Sequence, residues 1–206
     1  MKSFFLACAF VALLLGTSGA ALVSAKPTPE LPVKSYVVGQ FLVASQQLKD
    51  QYFAKTVIYM MVHTEQGAIG VIVNRLAGTT SYKKLLSALG IKTRVKKKLD
   101  VYFGGPVEIG RGLILHSPDY KGTSTLTLTE GLAVSIGPDV LQALVQGKGP
   151  KQSRLMLGYA GWGAGQLDQE MAHGDWLVAP ADPALIFSVE PEKIWEKALV
   201  HAGIRL

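Results

Sequence analysis

The chain is 206 residues long, 49% hydrophobic and only 17% charged, with a formal net charge of +6. That size and apolar content suit one globular domain with a core of its own, and argue against disorder outside the ends. The single cysteine, Cys8, excludes a disulfide framework and a cysteine-based metal site.

Residues 1–25 read as a secretory signal peptide. Lys2 supplies the positive start, residues 4–15 are an unbroken apolar run, and Val23-Ser24-Ala25 is a small-residue cleavage site. The mature chain is expected to begin at Lys26, in the periplasm or secreted, with no spanning helix. Removing the leader takes Lys2 and no acid, so the mature charge is +5. Cys8 lies inside the apolar run and reads as filler. The competing readings are a leader that stays attached as a membrane anchor, or a misread leader on a cytoplasmic protein. Residues 26–38 open with KPTPELP, an extended proline-rich lead-in.

From there the pattern predicts a strand over 36–44. Residues 56–63 (TVIYMMVH) and 67–74 (GAIGVIVN) are rich in β-branched residues and joined by a short link, which predicts a hairpin. A helix follows over 81–89, with Ser81 as N-cap and Gly90 at its end. Strands are predicted over 100–103, 112–116, 123–128 and 132–136. Pro138–Val145 is a helix, with proline in its first turn and Gly147 beyond it. A short strand over 154–157 then feeds a glycine-rich loop. A helix over 165–172 closes at Gly174, a strand spans 175–178, and Pro191–His201 is the last helix. Trp195 lies there with Ile194, Ala198 and Leu199 at the spacing of a buried face. Strands and helices mix without regular βαβ alternation. The expected fold class is therefore α+β: one compact domain over 39–206, with a mixed, mostly antiparallel sheet or flattened barrel flanked by short helices.

The stretch GYAGWGAGQLDQE at 158–170 concentrates glycine, aromatic surface and charge. Two readings stand. One is a tight strand-to-helix turn with Tyr159 and Trp162 in the core. The other is a ligand cradle formed by Gly158, Gly161, Trp162, Gly163, Gly165 and Gln166. The known phosphate loops do not fit: GxxxxGK[ST] is absent, and Gln166 stands where a dinucleotide fingerprint has its last glycine.

This stretch resembles the most distinctive motif of the AlgH (YqgE-like) family of bacterial proteins. The resemblance extends over about 39–204 through GQFLVAS at 39–45, HTEQGAIGVIVN at 63–74, YFGGPV at 102–107, LHS at 115–117 and WLVAPAD at 176–182. It implies a compact α+β domain in a family whose biochemical activity is not established and whose regulatory label comes from an alginate phenotype. Two departures stand out. Family members usually begin near the GQFL motif without an export signal, and Ser45-Gln46 replaces the usual Met-Pro.

Three groups of residues could carry chemistry. His63 and Glu65, two apart on a strand, would share a face. With His116 they could form a His/Glu/His group that binds a metal or does acid–base work, and Asn74, Gly104 and Gly105 would contribute to a ligand site with the glycine loop. The spacing matches no metal motif, and neither a metal nor a cofactor is expected. Asp168 and Glu170 cannot act jointly from one helix face; Asp168 in a first turn suits the helix dipole instead. Ser45, Ser117 and Ser135 lack any GxSxG context. The third group is basic. No acid occurs between Gln66 and Leu99, while Lys92, Arg94, Lys96, Lys97 and Lys98 crowd its end. Such a strip attracts polyanions: nucleic acid inside a cell, lipid phosphate or acidic polysaccharide outside the inner membrane. The expectation is an exported, non-enzymatic binding or accessory protein. The alternatives are a hydrolase working from the His/Glu cluster and a cytoplasmic regulator touching nucleic acid.

Overall fold

The long strand Ser153–Gly163 (β9) runs through the middle of the sheet, and the other elements assemble around it. The computed structural model describes residues 36–129 and 131–205; the leader and nearly all of the lead-in lie outside the described residues. The first half of the chain supplies β1 (Gln40–Ala44), β2 (Val57–Thr64), β3 (Gly67–Ile72), β4 (Leu76–Ser81), α1 (Tyr82–Ala88), β5 (Lys98–Phe103) and β6 (Val107–His116). The second supplies β7 (Thr125–Thr129), β8 (Leu132–Ser135), α2 (Pro138–Val145), α3 (Gln166–His173), β10 (Trp176–Pro180), α4 (Pro183–Ser188) and α5 (Pro191–His201). The ten strands are ordered β10-β1-β2-β3-β9-β6-β8-β7, with β4 paired to β5 and β5 to β9. All pairings are antiparallel except β5 with β9. The sheet curls into a half-barrel with short helices packed on it, the expected α+β class.

The glycine segment departs from expectation. Residues 158–163 are not a loop: β9 continues through them, and only Ala164-Gly165 turn before α3. The reason is a change of partner. The first half of β9 pairs with β5 through Leu155, Met156 and Leu157, and the second half pairs with β3 from Ala160 to Gly163. Gly158 sits at the switch with φ +71°, a left-handed conformation that a side chain resists. Across it run Gly104 and Gly105, so close that a Cβ on Gly105 would lie 2.2 Å from the carbonyl carbon of Tyr159. The glycines let the chains cross, so the strand keeps its ladder while changing neighbours.

Both faces of the sheet are covered, which is why several strands read as continuous apolar runs rather than alternating ones. Phe41, Val43, Tyr59 and Val71 face Ile186, Ile194 and Leu199 of α4 and α5. Leu42, Ile58, Met60 and Ile72 join Trp162, Leu167 and Trp176 on the opposite side, under α3. A third cluster holds α1 and α2 through Tyr82, Leu86, Val140 and Leu141 against Val101, Ile114 and Leu155. Each buried Leu or Ile contributes about 1.5–3 kcal/mol. The Ser81 side chain accepts from the Lys84 N–H and caps α1 as its position predicts. Two elements were not legible: β4, whose small polar residues (LAGTTS) carry no apolar period, and α4, which is only one and a half turns long. Among the described residues no helix is long and apolar enough to cross a membrane.

Candidate functional site

The carboxyl end of β9 gathers most of the polar groups from the distinctive motif, and they hold one another. Glu170 Oε2 accepts from both indole nitrogens, Trp162 Nε1 and Trp176 Nε1, each at 2.8 Å. Its Oε1 accepts from Gln166 Nε2 at 2.9 Å, and Gln166 Oε1 accepts the Gly163 N–H at 3.1 Å. Phe53 stacks against Trp162 and meets Trp176 edge-on. The network fastens α3 to β9 and β10, and it leaves the Glu170 carboxylate occupied on both oxygens. Gly161 and Gly163 belong to β9 itself, and Gly165 forms the N-cap of α3 in a left-handed conformation.

His63 is buried two strands away on β2, paired through Ala68 of β3 with Trp162. Its Nδ1 accepts the Val37 N–H at 3.3 Å, so Nε2 carries the proton and faces Asp168 Oδ1 at 3.6 Å. Asp168 thus serves the histidine as well as the start of α3. Both ring nitrogens are engaged, so neither is open to a substrate proton. Glu65 does not share the face of His63: β2 ends at Thr64, and Glu65 is exposed in the turn. Asn74 lies beyond β3 at the other end of the hairpin, where Oδ1 accepts from the Val57 N–H and Nδ2 donates to the Lys55 carbonyl. The expected gathering of His63, Glu65, Asn74 and His116 therefore does not form. His116 pairs with Ser153 at the opposite end of β9.

His116 has a different companion. Its Nδ1 donates to the Ser117 carbonyl at 2.7 Å, which leaves Nε2 as an acceptor for the Ser135 hydroxyl at 2.9 Å. Ser135 in turn bonds Thr125 Oγ1 at 2.7 Å, and Thr125 accepts the Gly122 N–H at 2.9 Å. The bond lengths suit an activated serine, but His116 and Ser135 are both completely buried. A nucleophile must reach its substrate; these groups instead tie β6, β7 and β8 together. Among the described residues no group of histidines and carboxylates could hold a metal ion.

The basic strip fares differently. Lys83, Lys84, Lys92, Arg94, Lys96, Lys97 and Lys98 are all exposed, and none has an ion-pair partner among the described residues. The strip leads into a cavity of about 390 Å³ whose lining includes Lys97, Lys98, Lys151 and Arg154. Lys151 and Arg154 escaped the sequence reading. The one available signal was a charge, Arg154, at the head of an apolar strand.

The residues 41–206 match the family model described as AlgH-like. A UPF0301 protein of Methylococcus capsulatus is 52% identical over 179 residues, covering 86% of this chain and 98% of the relative. A UPF0301 protein of Nitrobacter hamburgensis is 41% identical over 182 residues, covering 84% of each. The solution structure of the AlgH protein from Pseudomonas aeruginosa superposes with a TM-score of 0.69 at 37% identity, covering 88% of this chain and 94% of that one. A crystal structure from Corynebacterium diphtheriae, at 22% identity and a TM-score of 0.62, covers 80% of this chain and 86% of its own, and shares the fold.

Proposed function

The chain belongs to the AlgH-like family, and we propose that this member is an exported, non-enzymatic binding protein for an anionic component of the cell envelope. The observation that carries this reading is the set of exposed cations from α1 to the start of β5 with no carboxylate paired to them among the described residues. Seven side chains of one sign, kept in water, form a field that draws in polyanions. The engagement of His63, His116 and Asn74 in internal hydrogen bonds supports binding over catalysis. Export rests on the leader at 1–25, and it makes lipid phosphate or acidic polysaccharide the natural counterpart rather than nucleic acid.

The test has two parts. Fractionation and intact mass of the native protein should find a chain starting at Lys26 outside the inner membrane. Cosedimentation with vesicles rich in anionic lipid, and retention on an acidic polysaccharide, should then both weaken when Lys96, Lys97 and Lys98 become Gln. Near an anionic surface each lysine contributes about 1 kcal/mol, so the triple variant should bind roughly 100-fold more weakly. Unchanged binding by the triple variant, or a native chain starting at Met1 in the cytosol, refutes the reading.

A further inference from the structure

Arg154 is a buried cation with no carboxylate at ion-pair distance among the described residues, the more distant Asp100 being the acid that acts on it. It is 7% exposed on β9. Its Nη1 donates to the Val73 carbonyl at 2.6 Å and its Nη2 to the Val189 carbonyl at 3.3 Å. Its guanidinium stacks over the Tyr102 ring at 4.4 Å. These contacts hold the group in place, yet a guanidinium carries more donors than two carbonyls use. Burial pulls its pKa below the ordinary arginine value, while Tyr102 and Asp100 work in the opposite direction. An arginine remains charged even so. A buried charge is expensive unless paired, so an anion bound beside Arg154 would gain from a positive group that the fold already holds in place.

The cavity beside Arg154 has the means to hold such an anion. Lys97 and Lys98 enter from the start of β5, and Lys151 enters from the turn before β9. Asp100 is the single acid in the lining, so the walls carry a net charge of +3. The rest of the lining mixes the polar Gln152 and Ser153 with apolar and aromatic groups, Tyr82, Tyr102, Leu144 and Phe187 among them. A volume of about 390 Å³ exceeds what a bare oxyanion fills and falls in the range of small-molecule sites.

We infer that this cavity binds a phosphomonoester: a dianionic phosphate set against Arg154, Lys97, Lys98 and Lys151, with an apolar or aromatic body against Tyr82, Leu144 and Phe187. A planar guanidinium with several point-like ammonium groups matches a phosphate with three terminal oxygens. One carboxylate would leave most of the wall charge unanswered. The site shares Lys97 and Lys98 with the exposed strip, but Lys151 and Arg154 belong to the cavity alone, and Lys92 and Arg94 to the strip alone.

The probe is phenyl phosphate, titrated into the mature protein by calorimetry and by NMR of the Arg154 Nε–H. One molecule should bind, more tightly than inorganic phosphate, and phenol should not bind. Affinity should fall roughly tenfold in Lys151→Gln and further in Arg154→Met, in line with loss of charge-assisted hydrogen bonds. It should stay within about twofold in the Lys92→Gln/Arg94→Gln double variant, since screening separates distant surface charges. Lys151 is exposed, so its variant reports even if Arg154→Met does not fold. Binding should weaken below about pH 6 as the phosphate takes a second proton. Vesicles bearing a phosphomonoester lipid form a second arm: displacement of phenyl phosphate assigns a lipid headgroup, and no displacement assigns a free small molecule. The inference is overturned by no binding, by equal weakening in the Lys92/Arg94 double variant, or by inorganic phosphate binding as tightly as phenyl phosphate. Because Lys97 and Lys98 serve both readings, Lys151→Gln tells them apart: it should weaken phenyl phosphate binding and leave binding to the anionic vesicles of the strip test in place.

Discussion

Replacing Gly105 by alanine isolates the crossing that lets β9 change partners. Gly105 has φ +149°, and a Cβ there would meet the Tyr159 carbonyl carbon at 2.2 Å, its oxygen at 2.3 Å and the Ala160 nitrogen at 2.4 Å. All three are backbone atoms of a central strand, so no side chain can swing aside. The unfavourable φ contributes about 1–3 kcal/mol, and forcing the strands apart about 1–3 kcal/mol more. The sum, roughly 2–6 kcal/mol, is a large part of the about 5–15 kcal/mol that holds a domain folded. Gly90 is the control. It also has positive φ, +76°, but nothing lies within 4 Å of its would-be Cβ. Gly90→Ala should therefore lose only the left-handed term, roughly 1 kcal/mol. Urea unfolding followed by circular dichroism gives both values, with an unchanged m confirming that the transitions are comparable. Failure of Gly105→Ala to fold beside a folded Gly90→Ala leads to the same conclusion. Equal losses in the two variants would refute the argument, because the close approach would then contribute nothing.

Glu170→Ala should lower stability by roughly 2–5 kcal/mol and shift tryptophan emission, because the largely buried indoles of Trp162 and Trp176 lose their shared acceptor. Glu170→Gln, which keeps one oxygen, should lose less; equal losses would show that the double acceptance is unimportant. Ser135→Ala strands His116 Nε2 in the core and should lower stability by about 1–3 kcal/mol. A serine-directed fluorophosphonate should leave Ser135 of the wild-type protein unlabelled, and labelling there would revive a hydrolase. Burial alone would raise the pKa of Asp139, but hydrogen bonds from Ser124 and Thr123 outweigh it and hold the carboxyl below its ordinary value. The stability it adds is then full above the unfolded carboxyl pKa, near 4, and is lost as pH falls through the lower folded value. The gap between wild type and Asp139→Asn in urea midpoint should thus be widest near pH 6 and narrow below about pH 4; a gap that widens on acidification contradicts the sign.

Much of the local structure was legible because its causes are local. The hairpin over 56–74, Pro138–Val145 and Pro191–His201 announce themselves through β-branched runs, an N1 proline and a helical apolar face. Trp195 sits partly buried on α5, with its Nε1 donating to the Ala44 carbonyl. The glycine segment misled for a physical reason. Glycine permits a loop, but it also permits two strands to touch, and only the neighbour across the gap decides which. Gly104 and Gly105 supply that neighbour from residues far earlier in the chain.

The same division holds for the polar residues. Sequence by itself determined the basic run, the family and the α+β class, since each depends on residues read in order. Tertiary structure decided that His63 meets Asp168, that His116 meets Ser135, and that Arg154 opens onto a cavity shared with Lys97, Lys98 and Lys151. Burial and charge pairing depend on which distant segments β9 brings together. An arginine at the head of an apolar strand becomes an unpaired charge beside a cavity only after β5, α4 and the turn before β9 have closed around it.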